Sequence, residues 1–405
     1  MPQTSITSNP QLGLPLTEAS TPIKQVGVIG GGQLAWMMAA AAQSLGIEFV
    51  VQTPHRNDPA VAIATDAILA PLEDSEATAQ LAARCQVITF ENEFVDLQAL
   101  GKLEAQGICF RPNLKTLTPL LDKYDQRRYL QELGLPVPRF AKLAPDSNWK
   151  ALDFAFPLVI KARRHGYDGQ GTFIMEKEAE LASFWERLQR GNHSLTDAFM
   201  LEEFVPFERE LAVIATRSPS GTVTTYPIAE TQQENQICHR VIVPADLTPA
   251  ILEAGETIAH TLLNRLKAIG VFGIELFLTS TGKVLVNEIA PRTHNSGHFT
   301  LEACETSQFE QHLRAVCNLP LGNPGLCSPG AVMVNLLGFE HAQDNYLTKR
   351  QQLAEIPSAF VHWYGKTNSY PGRKLGHVTV LLNSPERNRA LEIAQKIEAI
   401  WYKVN

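Results

Sequence analysis

The feature that most constrains the fold of this chain lies near the N-terminus. It is an apolar run followed by three glycines and an alanine-rich apolar segment. Lys24 to Ile29 predicts a buried strand, Gly30 to Gly32 a turn, and Gln33 to Leu45 a helix that ends at Gly46. Ile47 to Gln52 predicts the next strand. A strand, a crossover helix and a second strand form a βαβ unit, which requires a parallel sheet.

The remaining chain divides into further segments by its hydrophobic pattern. A strand at Gln86 to Phe90 and a helix near Asp96 to Gln106 extend the first segment into an open, mostly parallel α/β sheet. From Phe156 onward, strands separated by longer polar intervals indicate an α+β segment. The other predicted helices are Lys123–Leu133, Ala179–Arg190 and Pro249–Ile269, and the strands are Pro157–Ala162, Thr172–Met175, Phe199–Phe204, Leu211–Thr216, Val223–Ile228, Val271–Thr279 and Lys283–Ile289. Short strands, including His377–Leu382, and a closing helix are predicted after Pro329.

Composition excludes several classes of protein. Of the 405 residues, 44% are hydrophobic, so disordered and collagen-like chains are excluded and a globular protein is expected. The net charge of −7 provides no general positive field for nucleic acid or an anionic membrane, and no apolar run is long enough to span a bilayer. Six scattered cysteines without a C-x-x-C pair favour reduced thiols in the cytoplasm. Residues 1–22 lack signal-peptide features and are expected to form a disordered tail.

The glycine turn partly matches a dinucleotide fingerprint. In Gly30-x-Gly32-x-x-Ala35 the glycines would let a pyrophosphate approach a helix N-terminus. The fingerprint also needs an acidic residue at the end of the second strand, where this chain has Gln52 and Thr53. Three interpretations therefore remain: a nicotinamide cofactor, a phosphate of another ligand, or a turn that only packs a helix on a sheet.

Two carboxylates are predicted to face each other in a hairpin. If Thr281 and Gly282 form a two-residue loop, Glu275 pairs with Glu288 and Phe277 with Val286. Like charges at cross-strand positions are destabilising, so a cation is expected to compensate for the repulsion. Mg²⁺, bound through these carboxylates and nucleotide phosphates, fits this need, whereas a register slip or a protonated glutamate would remove it.

Cationic and glycine-rich residues elsewhere are suited to a phosphorylated ligand. Lys161 ends an apolar strand and is followed by the glycine-rich loop Gly166 to Thr172, which can hold a polyphosphate or form a simple hairpin. The acidic strand end after Leu201 can offer backbone groups to a base, although acidic strand edges are common. Arg292 is a forked donor for a phosphoryl or carboxylate group, and Pro371 to Gly376 form a basic turn suited to a monophosphate.

These motifs together resemble the ATP-grasp enzymes and, within them, the N5-carboxyaminoimidazole ribonucleotide synthase family. The resemblance extends from Lys24 to the C-terminus. It is carried by Gly31-Gly32-Gln33-Leu34, by Gly166-Tyr167-Asp168-Gly169-Gln170-Gly171, by the run from Asn287 to His298, and by His362-Trp363-Tyr364-Gly365-Lys366 with Pro371-Gly372-Arg373-Lys374-Leu375-Gly376-His377.

The resemblance implies an ATP-grasp architecture, which combines α/β and α+β parts. The expected divisions are a Rossmann-like pre-grasp domain at 23–122, a two-lobed grasp domain at 123–318 and a small C-terminal domain at 329–405. The implied reaction is the ATP-dependent carboxylation of 5-aminoimidazole ribonucleotide by bicarbonate, through carboxyphosphate, in purine (IMP) biosynthesis. The resemblance also implies Mg²⁺, with Mn²⁺ as an alternative, and a homodimer whose partners are these small molecules rather than nucleic acid or membrane.

The resemblance also assigns roles to individual residues. Glu275 and Glu288 would bind the metal; Arg292 and His294 would hold bicarbonate or carboxyphosphate, and Asp168 would contact the aminoimidazole. The residues implied at the ribonucleotide are Gln33, Leu34, Glu91, Asn295, Lys366, Arg373 and Lys374. Those implied at ATP are Lys123, Lys161, Gly166, Tyr167, Asp168, Gly169, Gln170, Gly171, Thr172, Glu202, Glu203, Phe204, Val205, Glu210, Gln233, Asn287 and Glu288.

Three other functions are weighed against this ligase. The glycine turn would support a nicotinamide-dependent oxidoreductase, which would bind a dinucleotide without competition from ATP. A non-catalytic nucleotide-binding regulator would bind ATP tightly and form no product. A related ATP-grasp enzyme would act on glycinamide ribonucleotide, so assays with the two ribonucleotides distinguish it from the ligase.

Overall fold

The computed structural model of the chain describes residues 21–143, 153–164, 171–190 and 199–402. Within this part of the chain, no helix is both long and apolar enough to cross a membrane. Residues 1–20 of the predicted tail lie outside the described residues.

The N-terminal segment is a parallel α/β sheet, as the βαβ pattern predicts. Its four strands lie in the order β3-β2-β1-β4, and all the pairings are parallel. Helix α1 ends at Gly46, whose φ of 62° is the left-handed conformation that glycine adopts without strain. The elements are β1 (Gln25–Ile29), α1 (Gln33–Leu45), β2 (Glu48–Thr53), β3 (Asp66–Leu69), α2 (Ser75–Ala82), β4 (Val87–Phe90), α3 (Leu97–Ala105) and α4 (Leu114–Leu117).

A helix and a small antiparallel sheet follow. Asp122 caps the helix by accepting hydrogen bonds from the backbone amides of Tyr124 and Asp125. The sheet has the order β5-β8-β6-β7 and packs its apolar face on a helix around Phe184 and Trp185. The elements are α5 (Lys123–Glu132), β5 (Phe140–Leu143), β6 (Leu158–Ala162), β7 (Thr172–Met175), α6 (Glu178–Arg190) and β8 (Phe199–Glu203).

A nine-stranded sheet and a separate two-stranded sheet, β16–β18, occupy the rest of the molecule, and the larger sheet continues into the C-terminal segment. Its order is β14-β13-β9-β11-β12-β15-β19-β17, with β10 paired to β9. The elements are β9 (Phe207–Arg217), β10 (Val223–Thr225), β11 (Ala229–Glu234), β12 (Ile237–Val243), α7 (Pro249–Leu266), β13 (Gly270–Thr279), β14 (Val284–Ala290), α8 (Thr300–Ala303), α9 (Gln308–Val316), β15 (Gly330–Leu337), β16 (Ala342–Gln343), α10 (Leu347–Ala354), β17 (Ala359–Trp363), β18 (Asn368–Ser369), β19 (Lys374–Leu382) and α11 (Arg387–Trp401).

Two strand predictions in this sheet are wrong in extent. Of the segment predicted as one strand at Val223 to Ile228, only β10 (Val223–Thr225) is a strand, and β11 begins after it at Ala229; β9 extends beyond Leu211–Thr216 at both ends. The alternation of polar and apolar residues that marks a half-buried strand is weak in β11 and β12. The local pattern therefore does not define these two strands, and their pairing depends on the neighbouring strands of the sheet.

The hairpin β13–β14 pairs Glu275 with Glu288, as predicted, but its turn and its register differ from the predicted ones. Thr279 pairs with Lys283, so the turn has three residues, and Phe277 pairs with Leu285 rather than Val286. A β-bulge after Glu275, which leaves Asn287 unpaired, shifts the register by one residue and restores the Glu275–Glu288 pair. The longer turn and the bulge shift the strand register in opposite directions, so the predicted pairing of the two carboxylates is kept.

The bulge also changes which residues share a face with the carboxylates. Val284 and Val286, predicted on the face of Glu275, instead lie in the core beneath the sheet with Leu276 and Leu278. A second contact joins the segments: Phe309 and the rest of one face of α9 pack into the core around α1. The N-terminal sheet is therefore fixed against the large sheet.

Candidate active site

A cavity of about 560 Å³ lies where the three sheets meet. Most of the residues that sequence patterns and the resemblance single out line it. From the N-terminal sheet and α5 these are Gln33, Leu34, Glu91 and Lys123; from the small sheet and the strand after it, Lys161, Thr172, Glu202, Glu203, Phe204, Val205 and Glu210; from the large sheet, Gln233, Glu275, Asn287, Glu288, Arg292, His294, Asn295 and Lys374.

The remaining predicted residues lie elsewhere or are not described. Gly171, Lys366 and Arg373 are not among the residues that line the cavity. Lys366 nevertheless reaches its edge, because the Lys366 ammonium donates a hydrogen bond of 2.8 Å to the side chain of Gln33. Arg373 donates to the backbone carbonyl of Asn368. Gly166, Tyr167, Asp168, Gly169 and Gln170 lie outside the described residues.

The two facing carboxylates are the electrostatic centre of the cavity. Burial, reinforced by the charge of Glu288, raises the pKa of Glu275 to about 7. Glu288 is compensated: Lys123 Nζ lies 2.5 Å from its carboxylate, and this cation lowers the pKa of Glu288 despite its burial. Glu275 receives a hydrogen bond of 3.3 Å from the amide of Asn287, the bulged residue. Of the two carboxyls, Glu275 therefore has the higher pKa.

This donor set fits a divalent cation. Two carboxylates and an amide group converge at one point of the cavity, and Mg²⁺ prefers oxygen ligands, taking one or two carboxylates together with phosphate oxygens. The described residues contain no group of three or more histidine, cysteine or acidic side chains arranged as metal ligands. Glu275 and Glu288 are therefore the side chains that would hold Mg²⁺, completed by ligands from a nucleotide.

A buried ion-pair triad holds the lysine at the end of β6. Lys161 Nζ and Arg127 Nε each lie 2.6 Å from a different oxygen of Glu202. Lys161 also donates to the side-chain oxygen of Asn287 at 3.1 Å. Burial alone would raise the pKa of Glu202, but the two cations lower it to about 2, so this carboxylate stays ionised. Its side chain therefore orients Lys161.

Apolar side chains form one wall beside this lysine. Phe207 and Phe277 stack face to face with ring centroids 4.8 Å apart, and Val159 and Ile174 line the same cavity. Such a wall suits a planar base. Glu210 lies next to it, and burial followed by the charge of Glu275 raises the pKa of Glu210 to about 7.

The glycine turn holds a carboxylate of the protein itself. Glu91 accepts hydrogen bonds from the amide of Gly32 at 2.8 Å and from that of Leu34 at 3.2 Å. A side chain at Gly32 would collide with this carboxylate. Glu91 thus occupies the amides at the N-terminus of α1 that a pyrophosphate or another phosphate would use, which opposes both of these interpretations of the turn. Burial of Glu91 raises its pKa, although these amides partly oppose the shift.

Arg292 and His294 lie on the loop after β14 and face the same cavity. Arg292 Nε lies 2.6 Å from Glu93, and although burial alone would lower its pKa, that carboxylate raises it, so the guanidinium stays charged. His294 Nδ1 lies 2.8 Å from the hydroxyl of Ser296, and its Nε2 lies 3.5 Å from Glu275. Both side chains are thus held in place beside the carboxylate pair.

Sequence reasoning misses four residues that position others. Glu93 holds Arg292, and Arg127 holds Glu202. Gln126 pairs its side-chain amide with the backbone N–H and carbonyl of Ile289, next to Glu288. Asn335 forms a reciprocal amide pair with Asn295 at 2.8 and 2.9 Å. Only Glu93 carries a local signal, since it directly follows a predicted strand; the other three act across long sequence separations.

Family models match three consecutive segments of the chain. They are the ribonucleotide synthetase preATP-grasp domain over residues 23–119, the ATP-grasp domain over 128–309, and the phosphoribosylaminoimidazole carboxylase C-terminal domain over 331–390. The order of these matches follows the three segments of the structure.

Full-length relatives agree with these matches. The N5-carboxyaminoimidazole ribonucleotide synthase of Synechococcus elongatus is 53% identical over 95% of this chain and 97% of its own. The N5-carboxyaminoimidazole ribonucleotide synthetase structure from Thermotoga maritima has a TM-score of 0.81 and 39% identity, covering 93% of this chain and 98% of its own. The Aspergillus clavatus N5-carboxyaminoimidazole synthase, in complex with ADP and 5-aminoimidazole ribonucleotide, has a TM-score of 0.85 and 30% identity, covering 95% and 100%.

Matches of this identity and coverage establish the family, and they confirm the ATP-grasp architecture expected from the sequence motifs. They also leave no support for the oxidoreductase interpretation, which the occupied glycine turn already opposes. The chain therefore belongs to the N5-carboxyaminoimidazole ribonucleotide synthase family of ATP-grasp ligases.

Proposed function

We propose that the cavity carries out the reaction of this family, the ATP-dependent carboxylation of 5-aminoimidazole ribonucleotide by bicarbonate in purine biosynthesis. The observation that carries the proposal is the convergence of the carboxylate pair Glu275–Glu288 with Lys123, Lys161 and Arg292 in one cavity. Phosphoryl transfer needs alignment and charge neutralisation above all, and these groups supply both.

We place ATP along the wall formed by the small sheet. The base lies at the Glu202 to Val205 strand end and against the stacked phenylalanines, the ribose lies near Glu210, and the phosphates lie near Lys123 and Lys161. Glu275 and Glu288 would hold Mg²⁺, or Mn²⁺ in its place, and the bound ion would supply charge neutralisation for phosphoryl transfer. Gln233 and Thr172 line the same part of the cavity. Gly166, Tyr167, Asp168, Gly169, Gln170 and Gly171 remain proposed contacts of ATP.

The ribonucleotide is placed on the opposite side, between α1 and the C-terminal segment. Gln33, Leu34, Glu91, Asn295 and Lys374 line the cavity there, and Lys366 bonds to Gln33 at its edge. Arg373 lies on the same basic turn as Lys374, which suits the ribonucleotide phosphate. Asp168 remains a proposed contact of the aminoimidazole.

Two group transfers connect these sites. An oxygen of bicarbonate attacks the γ-phosphorus, the bond to the β-phosphate oxygen breaks, and ADP leaves. Arg292 and His294 hold the resulting carboxyphosphate. The exocyclic amine of the ribonucleotide then takes the carboxyl group, the carbon–oxygen bond to phosphate breaks, and the amine proton leaves with the phosphate. Because both transfers take place in one cavity, carboxyphosphate is protected from water.

The organisation of the whole protein is proposed on the same basis. The divisions 23–122, 123–318 and 329–405 agree closely with the matched family segments. The net charge of −7 and the small-molecule cavity support small-molecule partners rather than nucleic acid or membrane, and a cytoplasmic location. A homodimer is proposed from the family alone, and sedimentation of the purified protein tests it.

The test is ADP release measured with each substrate omitted in turn. ADP release should require both bicarbonate and 5-aminoimidazole ribonucleotide, and Glu288→Gln should reduce kcat by about a hundredfold or more, because the metal loses a charged ligand. Lys283→Gln, which changes an exposed residue beyond the β13–β14 turn, is the matched control. Turnover with glycinamide ribonucleotide in place of 5-aminoimidazole ribonucleotide would reject the proposed substrate, and normal turnover by Glu288→Gln would reject the metal site.

A further inference from the structure

One face of helix α5 is directed at the nucleotide side of the cavity. Lys123, Gln126 and Arg127 are spaced i, i+3 and i+4 and therefore lie on one side of the helix. They contact the carboxylate of Glu288, the backbone of Ile289 and the carboxylate of Glu202, respectively. Of the three, Arg127 contributes a formal charge but does not line the cavity, and the mechanism above does not use it.

The charge balance of the triad gives Arg127 a function. Its side chain is 3% exposed, that of Glu202 2%, and that of Lys161 11%, so all three charges interact with little solvent screening. Two cations share one carboxylate, which leaves a net charge of +1. Lys161 is the only member of the triad with a cation lining the cavity, so it presents this net charge to a ligand.

Without Arg127, the remaining pair would be neutral. Glu202 would then compensate Lys161 completely, and both of its oxygens would be available to draw the ammonium away from the cavity. An anionic polyphosphate would meet an ion pair with no net charge instead of a cation. The contacts of Glu202 fit this division of charge, since among the described residues one oxygen is bonded to Arg127 and the other to Lys161.

We infer that Arg127 is a positioning residue for ATP, which neutralises Glu202 so that the triad presents a net positive charge, at Lys161, to the nucleotide phosphates. The inference rests on the placement of ATP proposed above. Arg127, a buried residue outside the cavity, would then contribute to the binding energy for ATP. This contribution is predicted to depend on the charge of Arg127 rather than on its packing.

The test compares ATP affinity in three variants, measured by calorimetry with Mg–ATP and by the ATP KM. Arg127→Gln should weaken ATP binding about tenfold or more, with a smaller change in kcat, because a net charge of +1 becomes zero. Arg127→Gln combined with Glu202→Gln restores the net charge of +1 on Lys161 and should regain most of the lost affinity. Arg127→Lys keeps the charge and should stay within about threefold of the unmodified protein.

Two further variants separate the possible failures. Arg387→Gln removes an arginine from another buried carboxylate, Glu230, away from the cavity, and should lower the melting temperature without changing ATP affinity. Lys161→Met tests the placement of ATP: if its affinity for ATP is unchanged, the proposed ATP site is wrong irrespective of Arg127.

If Lys161→Met weakens ATP binding but the double variant binds ATP as poorly as Arg127→Gln, Arg127 acts through packing and the inference is wrong. Should Arg127→Gln not fold, Arg127→Lys decides alone: a folded lysine variant whose ATP affinity falls by more than about tenfold would contradict the charge argument. A near-normal affinity of that variant would support it.

Discussion

At the scale of single residues, the site is built from charges that hold one another in place. Glu202 illustrates the consequence for stability, because its pKa is about 2 in the folded chain and 4.5 ordinarily. A carboxyl whose pKa is lowered on folding stabilises the protein above its unfolded pKa and loses that contribution as the pH falls toward its folded pKa. The relevant window is therefore pH 4.5 to about 2.

This shift corresponds to about 3 kcal/mol, most of which is lost across that window. Urea unfolding at a series of pH values should show the free energy of unfolding falling as the pH drops below 4.5. Glu202→Gln has no titrating group there, so its free energy of unfolding should start lower and fall less steeply. Parallel curves for the two proteins would show that Glu202 does not contribute to acid sensitivity.

Residue types predicted much of the candidate site, but not its supports. Lys161, Glu275, Glu288 and Arg292 stand out because each is a charged residue within an apolar strand or in the loop directly after one, and the structure brings them into one cavity. The supporting residue Arg127 gives no such signal: its partner Glu202 is 75 positions away, and helix position alone does not reveal a buried ion pair.

At the scale of elements, the β13–β14 hairpin shows that a correct contact can follow from a wrong register. The predicted two-residue turn and the absence of a bulge are both wrong, and each error moves the pairing by one residue in the opposite direction. Turn length and bulges depend on backbone conformations that the local residue pattern leaves open. Helix α1, by contrast, has an explicit end signal in Gly46 and is predicted at its observed bounds.

The observed turn makes a prediction about Gly282. Its φ is 79°, and a Cβ added there would have open space around it. Gly282→Ala should therefore cost about 1 kcal/mol of unfolding free energy from backbone strain alone, without loss of kcat in the folded protein. Ser280→Ala, in the same exposed turn, is the control and should leave the stability unchanged. Equal unfolding free energies for Gly282→Ala and the unmodified chain would contradict the three-residue turn.

At the scale of the whole molecule, the C-terminal segment is joined to the rest by sheet pairing. Strand β12 pairs with β15 over four residue pairs, and Val241 and Val243 share a core with Ala331 and Met333. The sequence pattern predicts short strands after Pro329 but not their place in the large sheet, because strand pairing across 90 positions is set by tertiary packing.

This continuity predicts that the C-terminal segment is needed for folding. A chain ending at residue 328 would leave β12 as an unpaired edge and expose the core it shares with β15. We expect it to aggregate on expression, whereas a chain beginning at residue 21, which removes only residues before β1, should fold normally. A truncated chain that stays in solution and melts cooperatively would show that 329–405 is an independent unit.

The central claim for the whole molecule is that one cavity first transfers the γ-phosphoryl group of ATP to bicarbonate and then carboxylates the ribonucleotide. The most direct measurement is the fate of oxygen from ¹⁸O-labelled bicarbonate during a short incubation with ATP and 5-aminoimidazole ribonucleotide. Carboxyphosphate predicts that each phosphate released carries one oxygen from bicarbonate, with the other two in the carboxylated product. Phosphate that carries no label while labelled product accumulates would contradict the account.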